Sequence, residues 1–116
     1  MKKIIVPGIL LLFAVQQLRA QNNSAADHAD LLAKKIAKRI TDTLGLNNSK
    51  AQDLYSINMQ IYNQKLAARA ASANRDSVGI ALQRIENTRD SLYRPVLGED
   101  KFILYKQKKR NLINNN

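Results

Sequence analysis

A single histidine, no cysteine, and nine carboxylates set among nineteen Lys and Arg residues narrow the chemistry open to this chain. A structural zinc or copper site of the usual kind needs several imidazole or thiolate ligands, and His28 alone does not supply them. There is no thiolate nucleophile and no Gly-rich loop to cradle a phosphate. Glu86 and Asp90 stand four residues apart, but Arg84, Arg89 and Arg94 interleave with them, so ion-paired surface carboxylates are expected there. His28 reads as an exposed polar residue near a helix start. Neither an enzyme nor a cofactor is expected.

Charge combined with apolar spacing points to binding. Lys34, Lys35, Lys38 and Arg39 fall on one arc of a helical wheel, with Leu31 in its middle, opposite an apolar stripe. Two readings stay open. One is a solvated charged flank carrying a stray Leu. The other is a contact surface whose long basic stems lie along a partner while their heads meet carboxylates. Lys65 and Arg69 lie, with Asn58, between two apolar stripes of the following helix and extend the candidate surface. Such a surface favours acidic, partly unfolded chains, held by forces that salt weakens.

Helices must position these residues. Ala, Leu, Lys, Arg and Gln dominate, only 4 Gly and 2 Pro occur, and β-branched or aromatic runs are missing. The fold class is therefore all-α, a four-helix domain of two helical hairpins. The helices are expected at about 25–43, 50–71, 75–94 and 99–112 from caps and apolar period. Leu32, Ile36, Ile40 and Leu44 recur on one face of the first, with Ala33 and Ala37 beside them, and Gly45 follows as a stop signal. Ser49 and Gln52 offer a capping box for the second. That helix carries one stripe of Leu54, Ile57, Ile61 and Ala68 and another of Tyr55, Met59, Tyr62 and Leu66, the latter expected in the core of the monomer or of a dimer. The third helix shows one stripe of Val78, Ala81, Leu82, Ile85, Leu92 and Val96, and Pro95 is expected to end or kink it. Whether the second and third helices are one bent rod is open.

The first twenty residues read as an export signal. Lys2 and Lys3 precede an apolar run from Ile4 to Val15, and Ala20 offers the cleavage point. The run is too short to be the better guess for a bilayer span. A single mature domain, 21–116, in the periplasm is expected. Without Lys2, Lys3 and Arg19 it has 16 basic residues against 9 acidic, a net charge of +7. So small a core would gain from dimerisation.

The two hairpin turns echo each other: Leu46-Asn47-Asn48-Ser49-Lys50 and Leu97-Gly98-Glu99-Asp100-Lys101. Here the chain resembles the periplasmic LTxxQ-motif family, the Spy/CpxP-like proteins. The family's Leu falls on Leu46 and Leu97, its Thr on Asn47 and Gly98, and its Gln on Lys50 and Lys101, so both motifs are degenerate. The resemblance implies a cradle-shaped homodimer that binds unfolded or damaged envelope proteins without ATP. It equally implies a regulatory partner of an envelope stress or metal sensor. A third reading rests on residues 31–40, a basic amphipathic stretch of the kind that lies on a membrane surface. Nucleic acid is not expected, because no binding motif accompanies the charge.

Overall fold

The computed structural model describes residues 26–114, which fold as four α-helices with no strand among them. The expected export signal, cleavage point and polar leader lie outside the described residues. The elements are α1 (26–44), α2 (Asn48–Ala71), α3 (Arg75–Leu97) and α4 (Glu99–Ile113). No helix among the described residues is long and apolar enough to cross a membrane.

Helix α1 keeps the stripe that its spacing dictates. Ala29, Ala33, Ile36, Ala37, Ile40 and Leu44 are all buried, and Leu32 lies half-buried at the stripe's edge. The helix stops at Gly45, whose φ of 68° is easily reached only without a Cβ. The Leu46 N–H then bonds back to the Thr41 carbonyl at 3.0 Å, a Schellman closure that places Leu46 against the core.

Helix α2 begins earlier than the Ser49–Gln52 box suggests. Asn47 is the cap: its backbone is extended and its side chain accepts from the Lys50 N–H at 3.0 Å. Asn caps as well as Ser does, and the Schellman turn already delivers it in the extended conformation that a cap needs. The second and third helices are separate. Ser72 is extended, its Oγ accepts from the Asn74 N–H, and Asn74 caps α3 through the Ser77 N–H at 3.1 Å.

Helix α3 runs through Pro95 to Leu97 instead of stopping near Arg94. Proline removes one N–H, but Pro95 sits in the last turn, and Ser91, whose carbonyl loses that donor, is an exposed residue. Gly98 alone joins α3 to α4. Its N–H closes α3 on the Arg94 carbonyl at 2.9 Å, and its carbonyl opens α4 by accepting from the Phe102 N–H at 2.8 Å. Its φ of 79° and ψ of 161° belong to a region that is essentially glycine's own. Glu99 and Asp100 follow in the first turn of α4, where the helix dipole favours negative charge.

The core joins Ile36, Ile40 and Leu44 of α1 to Leu54 of α2, Tyr93 and Leu97 of α3, and Phe102, Tyr105, Leu112 and Ile113 of α4. Tyr93 and Tyr105 meet edge to face with centroids 5.0 Å apart, a geometry worth about 0.5–1.5 kcal/mol beyond area burial. The expected stripe of α3 is not its buried face. Val78, Ala81, Leu82, Ile85, Leu92 and Val96 are only half-buried, and the helix instead buries Arg89, Asp90, Tyr93 and Leu97. The second stripe of α2 is likewise marginal, with Tyr55, Met59 and Tyr62 half-buried and Leu66 exposed.

Candidate binding surface

Four of the residues picked out by charge and spacing share the open face of α1. Leu31 is 63% exposed, and Lys34, Lys35 and Lys38 surround it. The bundle does not recruit this arc because the opposite side of α1 already carries every buried residue of the helix. Two of the lysines find local partners: Lys34 pairs with Asp30 at 2.8 Å and Lys38 with Asp42 at 3.0 Å. Hydrogen bonds from Lys34 and from the Tyr55 hydroxyl hold the Asp30 carboxyl below its ordinary range, and Asp30 in turn raises Lys34. Such exposed pairs one turn apart are weak and screened by water, so a partner's carboxylates can replace them at little cost. On the flank toward α2 the same side chains line a cleft of about 550 Å³, floored by Ala37, Thr41 and Ala51.

The other residues assigned to partner contact are placed elsewhere. Arg39 sits at the border with the apolar stripe, half-buried, and donates to the Leu112 carbonyl at 3.0 Å, tying α1 to the last turn of α4. Lys65 is ion-paired with Glu86 of α3 and is mostly buried. Arg69 is exposed, and it borders with Lys65 a second cleft on the other side of α1. The lysine face and the Lys65–Arg69 pair therefore form two surfaces, not one. His28 is exposed and edges onto the Tyr62 ring, centroids 6.0 Å apart. Among the described residues no group of three or more His, Asp or Glu converges in a way that could hold a metal.

The two turns that carry the echo lie side by side. Leu46 is half-buried against the core and Leu97 is buried. Asn47 caps α2 and Gly98 links α3 to α4. Lys50 contributes its backbone N–H to the Asn47 cap. Lys101 reaches across and donates to the carbonyls of Leu44 and Gly45. A cation at a helix C-terminus is favoured by the dipole and satisfies carbonyls that have no intrahelical partner. The second turn thus caps the helix that ends at the first.

Spacing rules did not reveal the polar cluster inside the bundle. Glu86 and Asp90 are ion-paired, but chiefly with lysines of other helices and not with Arg84 or Arg94, and they are not on the surface. Asp90 is 9% exposed and accepts from the Tyr105 hydroxyl, Lys106 and Lys109, each at 2.8 Å. Glu86 faces Lys65, Lys109 at 3.3 Å and Arg89 at 3.6 Å. Burial alone would raise both carboxyls, yet the surrounding cations hold both below their ordinary ranges. Asn58 is also buried: its amide donates to the Ala33 carbonyl at 3.1 Å, and its oxygen accepts from the Tyr93 hydroxyl. Burial pushes the Tyr93 and Tyr105 hydroxyls well above their ordinary range, so both remain protonated donors. The chain offers little local signal for this cluster: Lys109 sits in the run Lys106-Gln107-Lys108-Lys109-Arg110 near a helix end, where basic residues are expected in any case.

Compared with known proteins, no family model, no curated protein and no solved structure matches this chain.

Proposed function

We propose that the chain is an exported binding protein of the cell envelope that holds acidic, partly unfolded polypeptides without ATP, in the manner of the LTxxQ-motif proteins it resembles. The observation that carries the reading is Leu31, 63% exposed at the centre of Lys34, Lys35 and Lys38. An apolar anchor ringed by flexible cations suits an unfolded segment, which offers scattered apolar side chains and carboxylates with no fixed geometry. Affinity of this kind is modest and reversible, because the charge contribution is screened at physiological salt. The membrane-surface reading finds less support: of the apolar residues of 31–40 that lipid would need, Ala33, Ile36, Ala37 and Ile40 are buried in the bundle. The same reading carries a homodimer, which light scattering on the processed chain tests.

The functional test is suppression of aggregation of several unrelated denatured proteins at near-stoichiometric amounts, with and without added salt. Replacing Lys34, Lys35 and Lys38 by Gln and Leu31 by Ser should leave the helical spectrum intact and remove most of the suppression. Unchanged suppression by the variant rules out this face. No suppression by the wild-type chain, with tight capture of one envelope protein, favours the regulatory role instead.

A further inference from the structure

The polar cluster inside the bundle is short of negative charge. Lys65, Arg89, Lys106 and Lys109 share only two carboxylates, Glu86 and Asp90. Water relieves part of this, since the Lys106 side chain is 50% exposed. It does not relieve Arg89, which is 4% exposed. Neither Nε nor Nη1 of Arg89 makes a hydrogen bond, and the nearest anion is a Glu86 oxygen at 3.6 Å that Lys65 already holds. A guanidinium carries five donors and stays charged, so a buried one with spare donors is costly until an acceptor arrives.

Arg89 borders a cleft where an acceptor can arrive. The cleft holds about 270 Å³, and all four helices contribute to it. Lys65 and Arg69 stand beside it on α2, and Leu32 and Ile36 of α1 with Ile113 of α4 form an apolar wall. The Asn58 amide, also in this cleft, is already engaged by Ala33 and Tyr93. Cationic donors on one side and hydrocarbon on the other specify a ligand with an anionic head joined directly to an apolar body. We infer that this cleft binds a small amphiphilic carboxylate, with its head on Arg89 and its hydrocarbon along Leu32, Ile36 and Ile113. A charge-assisted bond to a planar carboxylate is the strongest one available to a buried guanidinium. The apolar wall separates such a ligand from acetate or inorganic anions, which gain nothing from it.

The probe is octanoate, titrated into the isotope-labelled processed chain from Gln21, which retains all four helices, with octan-1-ol and acetate as parallel arms. Octanoate should move the Arg89 Nε–H resonance and the Ile36 and Ile113 methyl signals together, and should raise Tm. Arg89→Gln should weaken octanoate about tenfold or more, the loss of one charge-assisted bond. The exposed Arg69→Gln, which leaves the fold alone, should weaken it by up to about fivefold. If Arg89→Gln does not fold, the wild-type Nε–H titration still decides. A stationary Arg89 Nε–H under saturating octanoate overturns the inference. So does octan-1-ol binding as tightly as octanoate, which would make the site merely greasy, or acetate matching octanoate, which would remove the apolar requirement.

Discussion

Replacing Asp90 by Asn keeps the shape of the side chain and removes its charge. Three donors converge on this carboxylate at 2.8 Å: the Tyr105 hydroxyl, Lys106 and Lys109. In Asp90→Asn the Tyr105 hydroxyl can still donate to the amide oxygen and loses only the charge assistance, about 1 kcal/mol. Lys106, half exposed, turns to water at a cost below about 1 kcal/mol. Lys109 is 22% exposed and retains only Glu86 at 3.3 Å, so its loss is larger, about 1.5 kcal/mol. The total is about 3 kcal/mol, in line with removing one partner of a buried pair. For a domain of this size that corresponds to a fall in Tm of roughly 12–24 °C, read by circular dichroism at neutral pH. The linkage to pH has a definite sign. Because the folded carboxyl lies below its unfolded value, the stabilisation is complete above the unfolded pKa of about 4 and disappears as pH falls through the folded one. The Tm gap between wild type and Asp90→Asn should therefore close in acid. A gap under about 4 °C at neutral pH, or one that widens in acid, would refute the cluster as a net stabilising element.

Asn58→Leu should destabilise by about 1–3 kcal/mol in urea unfolding, despite adding apolar volume, because it strands the Tyr93 hydroxyl in the interior and removes the second hydrogen bond of the Ala33 carbonyl. Lys101→Met should cost about 1–2 kcal/mol by uncapping Leu44 and Gly45, with helicity preserved; equal stability would mean that water replaces the ammonium freely. The two glycines of α3 and its end should respond with opposite signs. Gly79→Ala lies in a helix with nothing within 4 Å of the added carbon and should stabilise by up to about 1 kcal/mol. Gly98→Ala, at a φ of 79°, should destabilise by about 1–3 kcal/mol. Melting curves of the pair check both signs at once.

Helix α1 was legible because a single apolar stripe recurs at the helical period, and Ile36, Ile40 and Leu44 occupy the core that the stripe implies. Helix α3 was not. Periodicity counts oily residues, and here the face turned inward holds Arg89 and Asp90 while Ile85 remains half-buried. What permits that inversion is charge delivered from other helices: Lys65 stands 21 positions from Glu86, and Lys109 stands 19 from Asp90. Neighbour rules within one helix do not reach so far. The same limit divided the candidate surface. Leu31, Lys34, Lys35 and Lys38 lie on one helix face and were found together, whereas Lys65 and Arg69 were added from a separate helix and belong to a different cleft. The start of α2 was misplaced for a local reason: Ser49–Gln52 and Asn47 are competing caps, and the Schellman turn decides between them.

The hydroxyl–amide–carbonyl chain from Tyr93 through Asn58 to Ala33 bolts three helices together. Beyond it, the α2–α3 hairpin extends past Leu66 as a tip whose residues are almost all open to solvent. Thermal breathing therefore has a natural boundary. Deuterium uptake should be fast from Leu66 to Ser77 and slow sharply on reaching Asn58 and Tyr93, so that the tip can open and reclose many times without disturbing the grip of α1.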